Sequence, residues 1–240
     1  MRPAAGQCRD LRVRPMSEPL TPLVIFGSGG HAREVHQLVE AINAVQKRID
    51  FLGFLDSDPA KHGSLVHGLP VLGGGEWLAG GGRAAVHIVI AIGSPAAKRR
   101  VVHSLPQGES SPFLTLIHPG ACVGNRVHLG IGCTICAGVQ ITTDIQVGQH
   151  VIVNTGAMLC HDVEVGDYAT IAPAAVLAGA VKVGQGADIG AGCTAIQGIS
   201  IGPWSITGAG SVVITDVPEN VTVVGVPAKS IKRKPSGWHL

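Results

Sequence analysis

Aromatic residues are nearly missing from this chain: 4 Phe, 3 Trp and 1 Tyr make up 3% of 240 residues. Charge is sparse too, at 14% of residues, and it nearly cancels to a net +2. So slight an excess excludes the basic surface that a nucleic acid partner would need. No apolar run reaches the roughly 20 residues that span a bilayer. The longest, AAVHIVIAIG from Ala84, is interrupted by His87, so no membrane contact is expected. The opening MRPAAGQCRDLRVRP carries no apolar segment of the secretory kind. Residues 1–20 read as a disordered tail, Met16 could be the natural start, and a cytoplasmic location is expected. Six cysteines in a chain of this length make no disulfide framework. Cys133 and Cys136 have CxxC spacing, but no second pair completes a zinc site, so they read as small apolar residues.

Glycine is abundant, at 34 residues, and the aliphatics keep a beat of six. Stepping by six from Ile117 to Val213 meets Ile, Leu or Val at fifteen of seventeen positions, with Ala195 and Thr207 the exceptions. The next residue is often glycine, as at Gly124, Gly130, Gly148 and Gly166, and the fourth is small or β-branched, as at Ala121, Cys133, Val139 and Ala157. A hexapeptide period is the signature of a parallel β-helix. Three hexapeptides close one triangular coil, the aliphatics fill the prism, and only small residues fit beside them. Large rings have no place inside, which accounts for their scarcity. Glycine is expected at corners where φ is positive. The monotonous DIGAGCTAIQGISIGPWSITGAG, residues 188–210, is therefore scaffold.

The first ninety residues differ. Leu23–Phe26 is a buried-strand run, a glycine turn follows, and Val35, Leu38, Val39 and Ile42 recur at helical spacing. DFLGFLDSDP ends a second strand at Asp56, and VHIVIAIG ends a third at Gly93, before the helical SPAAKRRVVHSL. Strand–helix alternation predicts a small Rossmann-like parallel α/β unit over 21–112, followed by the β-helix over 113–240. Gly27, Gly29 and Ala32 satisfy G-x-G-x-x-A in form, so backbone N–H groups at Gly27, Gly29 and Gly30 would face a diphosphate. That geometry admits NAD and a nucleotide sugar alike, but the unit is too small for a full dehydrogenase. Asp56 and Asp58 sit where a ribose or base contact is expected, with His31 closing the glycine turn.

Among eleven histidines, His161 is distinguished by position. It lies two residues past Leu159, at a coil corner, and Asp162 follows it. A corner escapes strict alternation, so both side chains can point one way. The pair is then either a plain surface pair or a base whose carboxylate neighbour fixes the imidazole tautomer. His118 reads as structural, and His128 and His150 fall at outward positions without a role.

In their order, GSGGH (27–31), FLDSD (54–58), IAIG (90–93), IHPGA (117–121), NTGAMLCHD (154–162), LAGAVKVG (177–184) and VVGVPAK (223–229) resemble the bacterial sugar O/N-acetyltransferases. These are the sialic acid O-acetyltransferase and nucleotide-4-amino-sugar N-acetyltransferase type, and the likeness covers nearly everything after residue 21. It implies a left-handed β-helix, a homotrimer, and acetyl-CoA as co-substrate in the groove between neighbouring prisms, without a metal. It further implies N-acetylation of a nucleotide-linked amino sugar, with O-acetylation of a sialic acid or other sugar hydroxyl as the alternative. By the same resemblance His161 is the general base, Asp162 its acidic partner and Asn154 an acceptor contact. His31, Asp56, Asp58, Gly93 and the glycine turn would hold the sugar nucleotide. Backbone at Gly179, Ala191 and Ala209 would hold acetyl-CoA, while Lys229 in the basic tail is either a contact to its phosphates or a solvated end. Thr170 stands where relatives commonly carry a second histidine near the thioester, and its hydroxyl could still donate there.

Two other classes of function compete with this one. A β-helix metalloenzyme of the γ-carbonic anhydrase kind needs three converging histidines. His150 and His161, eleven apart, do not share an edge of 18-residue coils. A purely structural assembly module would not bind acetyl-CoA.

Overall fold

The computed structural model describes residues 19–78, 86–105 and 112–240. The tail expected over 1–20 lies, except for Pro19 and Leu20, outside them. The first unit contains β1 (Thr21–Phe26), α1 (Gly30–Val45), β2 (Ile49–Leu55), β3 (Leu65–Val66), β4 (Leu69–Gly73), β5 (His87–Ile90) and α2 (Pro95–Ser104). The sheet runs β3-β4-β2-β1-β5. All its pairings are parallel except the β3–β4 hairpin, which the sequence pattern did not announce. Leu23, Val24 and Ile25 are fully buried, as a doubly covered parallel strand requires. Val35, Leu38 and Val39 turn the apolar stripe of α1 inward. Ser94 caps α2 by accepting from the Ala97 amide, and Pro95 occupies its first turn.

From Leu116 the chain winds into a triangular prism of short strands on three faces. On the first face Leu116 pairs with Thr134, and Thr134, Ile152, Thr170, Asp188 and Ile206 follow in register, each 18 residues on. The inward residues at the sixfold positions are buried from Ile135 through Val213. The last coil is two residues shorter, since Ile206 pairs with Thr222. The strand Val221–Val224 then turns back into the antiparallel, fully exposed Lys229–Arg233. Among the described residues no helix is long and apolar enough to cross a membrane.

The glycines divide into two kinds, where the sequence suggested one. Those after each aliphatic are there for lack of room: a Cβ at Gly190 would lie 2.5 Å from the Thr207 carbonyl oxygen of the next coil. Positive φ belongs to a separate corner position. It is filled by glycine at Gly132 and Gly186, but by His150 (φ 54), Asp162 (φ 61), Tyr168 (φ 60) and Trp204 (φ 56) elsewhere.

His150 corrects an expectation. It stands outward on the prism, but it is 2% exposed because the first unit covers this corner. Phe113 meets its ring edge-on at 4.5 Å and Tyr168 stacks on it at 5.4 Å. Gly132 leaves the space that the ring occupies. Burial first, then the Lys98 charge, lowers its pKa to about 4, against the Asp167 carboxylate, while His103 lowers it further. A folded-state value below the unfolded 6.5 means that the neutral ring stabilises the fold above pH 6.5. That contribution, up to about 3 kcal/mol, drains away between pH 6.5 and 4. In His150→Asn, which tolerates the positive φ, denaturant titrations should show a flatter loss of stability across that window.

Candidate active site

The glycine turn after β1, the end of β2 and the end of β5 enclose a cleft of about 300 Å³. Phe26, Gly27, Ser28, Gly29, Gly30, His31, Asp56, Ser57 and Ala91–Gly93 line it. Gly27 has φ +117, and a Cβ there would lie 2.8 Å from the Ala91 carbonyl oxygen, so the turn packs tightly on the β5 end. A Cβ at Gly29 or Gly93 would meet nothing within 4 Å, leaving the space above them open. Gly29 starts α1 without a side-chain cap, so the amides of the first turn are offered to the cleft.

Asp56 organises this turn from below. It accepts from the Ser28 hydroxyl, from the Ser28 amide at 3.1 Å and from the Asp58 amide at 3.0 Å, and it pairs with Lys61 at 3.0 Å. Burial would raise its pKa, but the bonds from Ser28, the Asp58 amide and Lys61 outweigh burial and hold it below the usual carboxylate range. The Asp58 carboxylate caps the short Pro59–Lys61 turn through the Ala60 amide, and it is not part of the cleft lining. His31 is held at Nδ1 by Glu34 at 3.0 Å, while its buried Nε2 has no protein partner. The cleft thus has His31 on its lining beside a set of free amides.

His161 and Asp162 occupy the corner between the second face, which carries Met158–Leu159, and the third, which carries Glu164–Val165. Asp162 takes the positive φ that aspartate tolerates. The turn brings its Oδ2 to 2.9 Å from His161 Nδ1, with the two side chains 65% and 62% exposed. With Nδ1–H donated to the carboxylate, the lone pair is left on Nε2. Gly179, one coil on, lies flush against the imidazole: a Cβ there would overlap the ring and sit 2.5 Å from Nε2. Gly179 is thus the seat of His161, a role beyond the backbone contact to acetyl-CoA expected of it.

Asn154 lies on a different corner, between the first and second faces, where its Oδ1 accepts from the Thr155 amide at 2.7 Å. The exposed Ala191 and Ala209 belong to that same corner in later coils. Lys229 is exposed on the terminal hairpin. One chain therefore does not bring Asn154 and His161 to one edge. Nor does it bring the cleft to His161, since Gly93 is tied to Thr170 on the first face.

Thr170 departs from the donor-site expectation. It is 7% exposed beneath the α/β unit, and its hydroxyl donates to the Gly93 carbonyl at 2.7 Å. A hydrogen given to Gly93 is not offered to a thioester. Sequence reasoning missed the partner on the other side. Lys98 of α2 is 1% exposed, and its Nζ donates to Thr170 Oγ1 at 3.1 Å and to the Ala169 carbonyl at 3.2 Å. Burial draws its pKa down to about 7, against the Cys133 and Asp188 charges. The sequence places Lys98 in a helical segment, and nothing in AAKRR marks one lysine as buried. Among the described residues, no group of three or more His, Cys, Asp or Glu could hold a metal ion.

Residues 22–105 match the family model of the PglD N-terminal domain. No curated protein matches the chain. Among solved structures, a histidine-to-asparagine mutant of perosamine N-acetyltransferase from Caulobacter crescentus, in complex with CoA and GDP-perosamine, is 33% identical at a TM-score of 0.77. The match covers 89% of this chain and 98% of that one. The acetyltransferase domain of PglB from Neisseria gonorrhoeae, in complex with acetyl coenzyme A, is 28% identical at a TM-score of 0.77, covering 89% and 100%. WeeI from Acinetobacter baumannii is 27% identical at a TM-score of 0.78, covering 88% and 100%. With the α/β unit, the hexapeptide prism and this likeness along nearly its whole length, the chain belongs to the bacterial sugar acetyltransferases built on a left-handed β-helix.

Proposed function

We propose that the protein transfers the acetyl group of acetyl-CoA to the amino group of a nucleotide-linked amino sugar. The observation that carries this is the 33% identity, across 89% of the chain, to an enzyme crystallised with both CoA and GDP-perosamine. The cleft at Gly27–His31 holds the nucleotide diphosphate on the amides of α1, and His31 on its lining lies toward the sugar. His161 Nε2 takes the proton of the amine as its nitrogen bonds to the thioester carbonyl carbon. Asp162 stabilises the imidazolium so formed, and a backbone N–H supports the oxyanion. Collapse of the tetrahedral adduct breaks the C–S bond, and the imidazolium returns its proton to the departing CoA sulfur. The gain comes from placing amine, thioester and base together and from removing the proton as the C–N bond forms.

In a homotrimer, two neighbouring chains complete each site. The corner bearing His161 and Gly179 belongs to one prism, and the corner bearing Asn154, Ala191 and Ala209, with its cleft, to the next. The second face between these corners fits the inside of such an assembly. Its outward row is Cys122, Gln140, Met158, Val176, Thr194 and Val212, against the exposed His128, Gln146, Glu164, Lys182 and Ser200 on the third. Acetyl-CoA lies in the groove, its phosphates near Lys229, and a cytoplasmic location accords with that co-substrate.

The test is CoA-thiol release across GDP-, UDP- and dTDP-linked amino sugars, with free sialic acid alongside. Turnover on sialic acid alone would overturn the assignment in favour of hydroxyl acetylation. In Asp56→Ala the Ser28 turn loses its anchor. Calorimetry should then find nucleotide-sugar affinity at least roughly 10-fold weaker, the worth of about one charged hydrogen bond, with acetyl-CoA binding retained.

A further inference from the structure

We propose that Lys98 and Thr170 are positioning residues for the sugar-nucleotide cleft: a buried hydrogen-bonded strap that sets the Ala91–Gly93 wall against the β-helix. The inference rests on the acceptor site described above and adds the group that holds it in place. The chain of donors runs one way. Lys98 Nζ donates to Thr170 Oγ1 at 3.1 Å, and the same hydroxyl donates to the Gly93 carbonyl at 2.7 Å. Each bond polarises the next in a dry setting. A second bond from Nζ, to the Ala169 carbonyl at 3.2 Å, fixes the amine to the prism backbone. Gly93 lines the cleft and leads directly into α2 through the Ser94 cap, so lysine, hydroxyl and cleft wall form one closed circuit.

Two features separate positioning from plain packing. Burying an amine costs stability that a methionine of similar volume would not cost. The strap also ends on a wall that cannot move alone, because Gly27 of the opposite wall packs against the Ala91 carbonyl. A slide of the β5–α2 connection therefore reshapes both sides of the cleft. Other α2 contacts to the prism, Arg99 over Trp204 at 5.9 Å and His103 to the Tyr168 hydroxyl at 3.4 Å, lie farther along the helix and leave Gly93 unheld.

The experiment compares full-length wild type, Lys98→Met, Thr170→Val and the double variant by calorimetry with GDP- and UDP-linked amino sugars and, separately, acetyl-CoA. Lys98→Met should weaken nucleotide-sugar affinity about 10-fold and raise the acceptor KM to match, with kcat at saturating acceptor within about twofold of wild type. Thr170→Val should give a similar loss, and the double variant should lose little more than either, because both break one circuit. Equal nucleotide-sugar affinity in wild type and Thr170→Val overturns the strap, even if Lys98→Met fails to fold. So does a loss confined to acetyl-CoA binding, which would return Thr170 to the donor site. A wild type that binds none of the nucleotide sugars refutes the acceptor assignment itself, a result distinct from either.

Discussion

His161→Ala should lower kcat for CoA-thiol release by roughly 10²–10⁴-fold, the span of a lost general base, while both substrates still bind. The expectation separates cleanly from stability. The imidazole is 65% exposed and has Asp162 as its hydrogen-bond partner. Its removal leaves the buried Leu159 and Val163 on either side undisturbed. Calorimetric affinities for acetyl-CoA and for the nucleotide sugar should therefore stay within about threefold, and the unfolding midpoint should hold. Near-native turnover in this variant would remove the base assignment.

Gly179→Ala should cost nearly as much without touching a titratable group. The new methyl would occupy the place of the imidazole, overlapping the ring and lying 2.5 Å from Nε2 and 3.1 Å from Nδ1. Gly179 has no positive φ, so the backbone accepts alanine and the ring must yield. Yielding means swinging into solvent, away from the carboxylate at 2.9 Å. Misplacement of a reacting group by about 1 Å can cost roughly 10²-fold, so kcat should fall by about that factor. Because the displaced ring is exposed, stability should change by less than about 1 kcal/mol. Steady-state kinetics beside a denaturant titration tests both halves. An unchanged kcat would mean that the ring works from another rotamer.

The prism was legible because its constraint repeats: each six residues demand one aliphatic, and the demand is visible from Ile117 to Val213. The His161–Asp162 pair was legible for a related reason, since a corner lets adjacent residues share a side. What escaped was the outward surface. Alternation distinguishes inside from outside within one coil, but it does not say which outside another unit will cover. An outward His150 without a role and a groove-side Thr170 follow from alternation alone, although both are buried. Lys98 was hidden for the converse reason, since helical spacing does not foresee a lysine aimed into a junction. The hairpin at Leu65–Gly73 escaped because its two-residue β3 is too short to show alternation.

The shortened final coil and the reversed strand Lys229–Arg233 govern how the column ends. A stack of identical rungs offers unpaired amides and carbonyls at its end, a template onto which further chains could polymerise. Here the last parallel strand of the first face, Val221–Val224, is covered by an antiparallel strand carrying Lys229, Lys232 and Arg233. The hydrogen-bonding edge no longer matches the rung below it, and the cations repel a second copy. Stacking of a second copy onto this face is thereby disfavoured, while the prism's sides stay open to association.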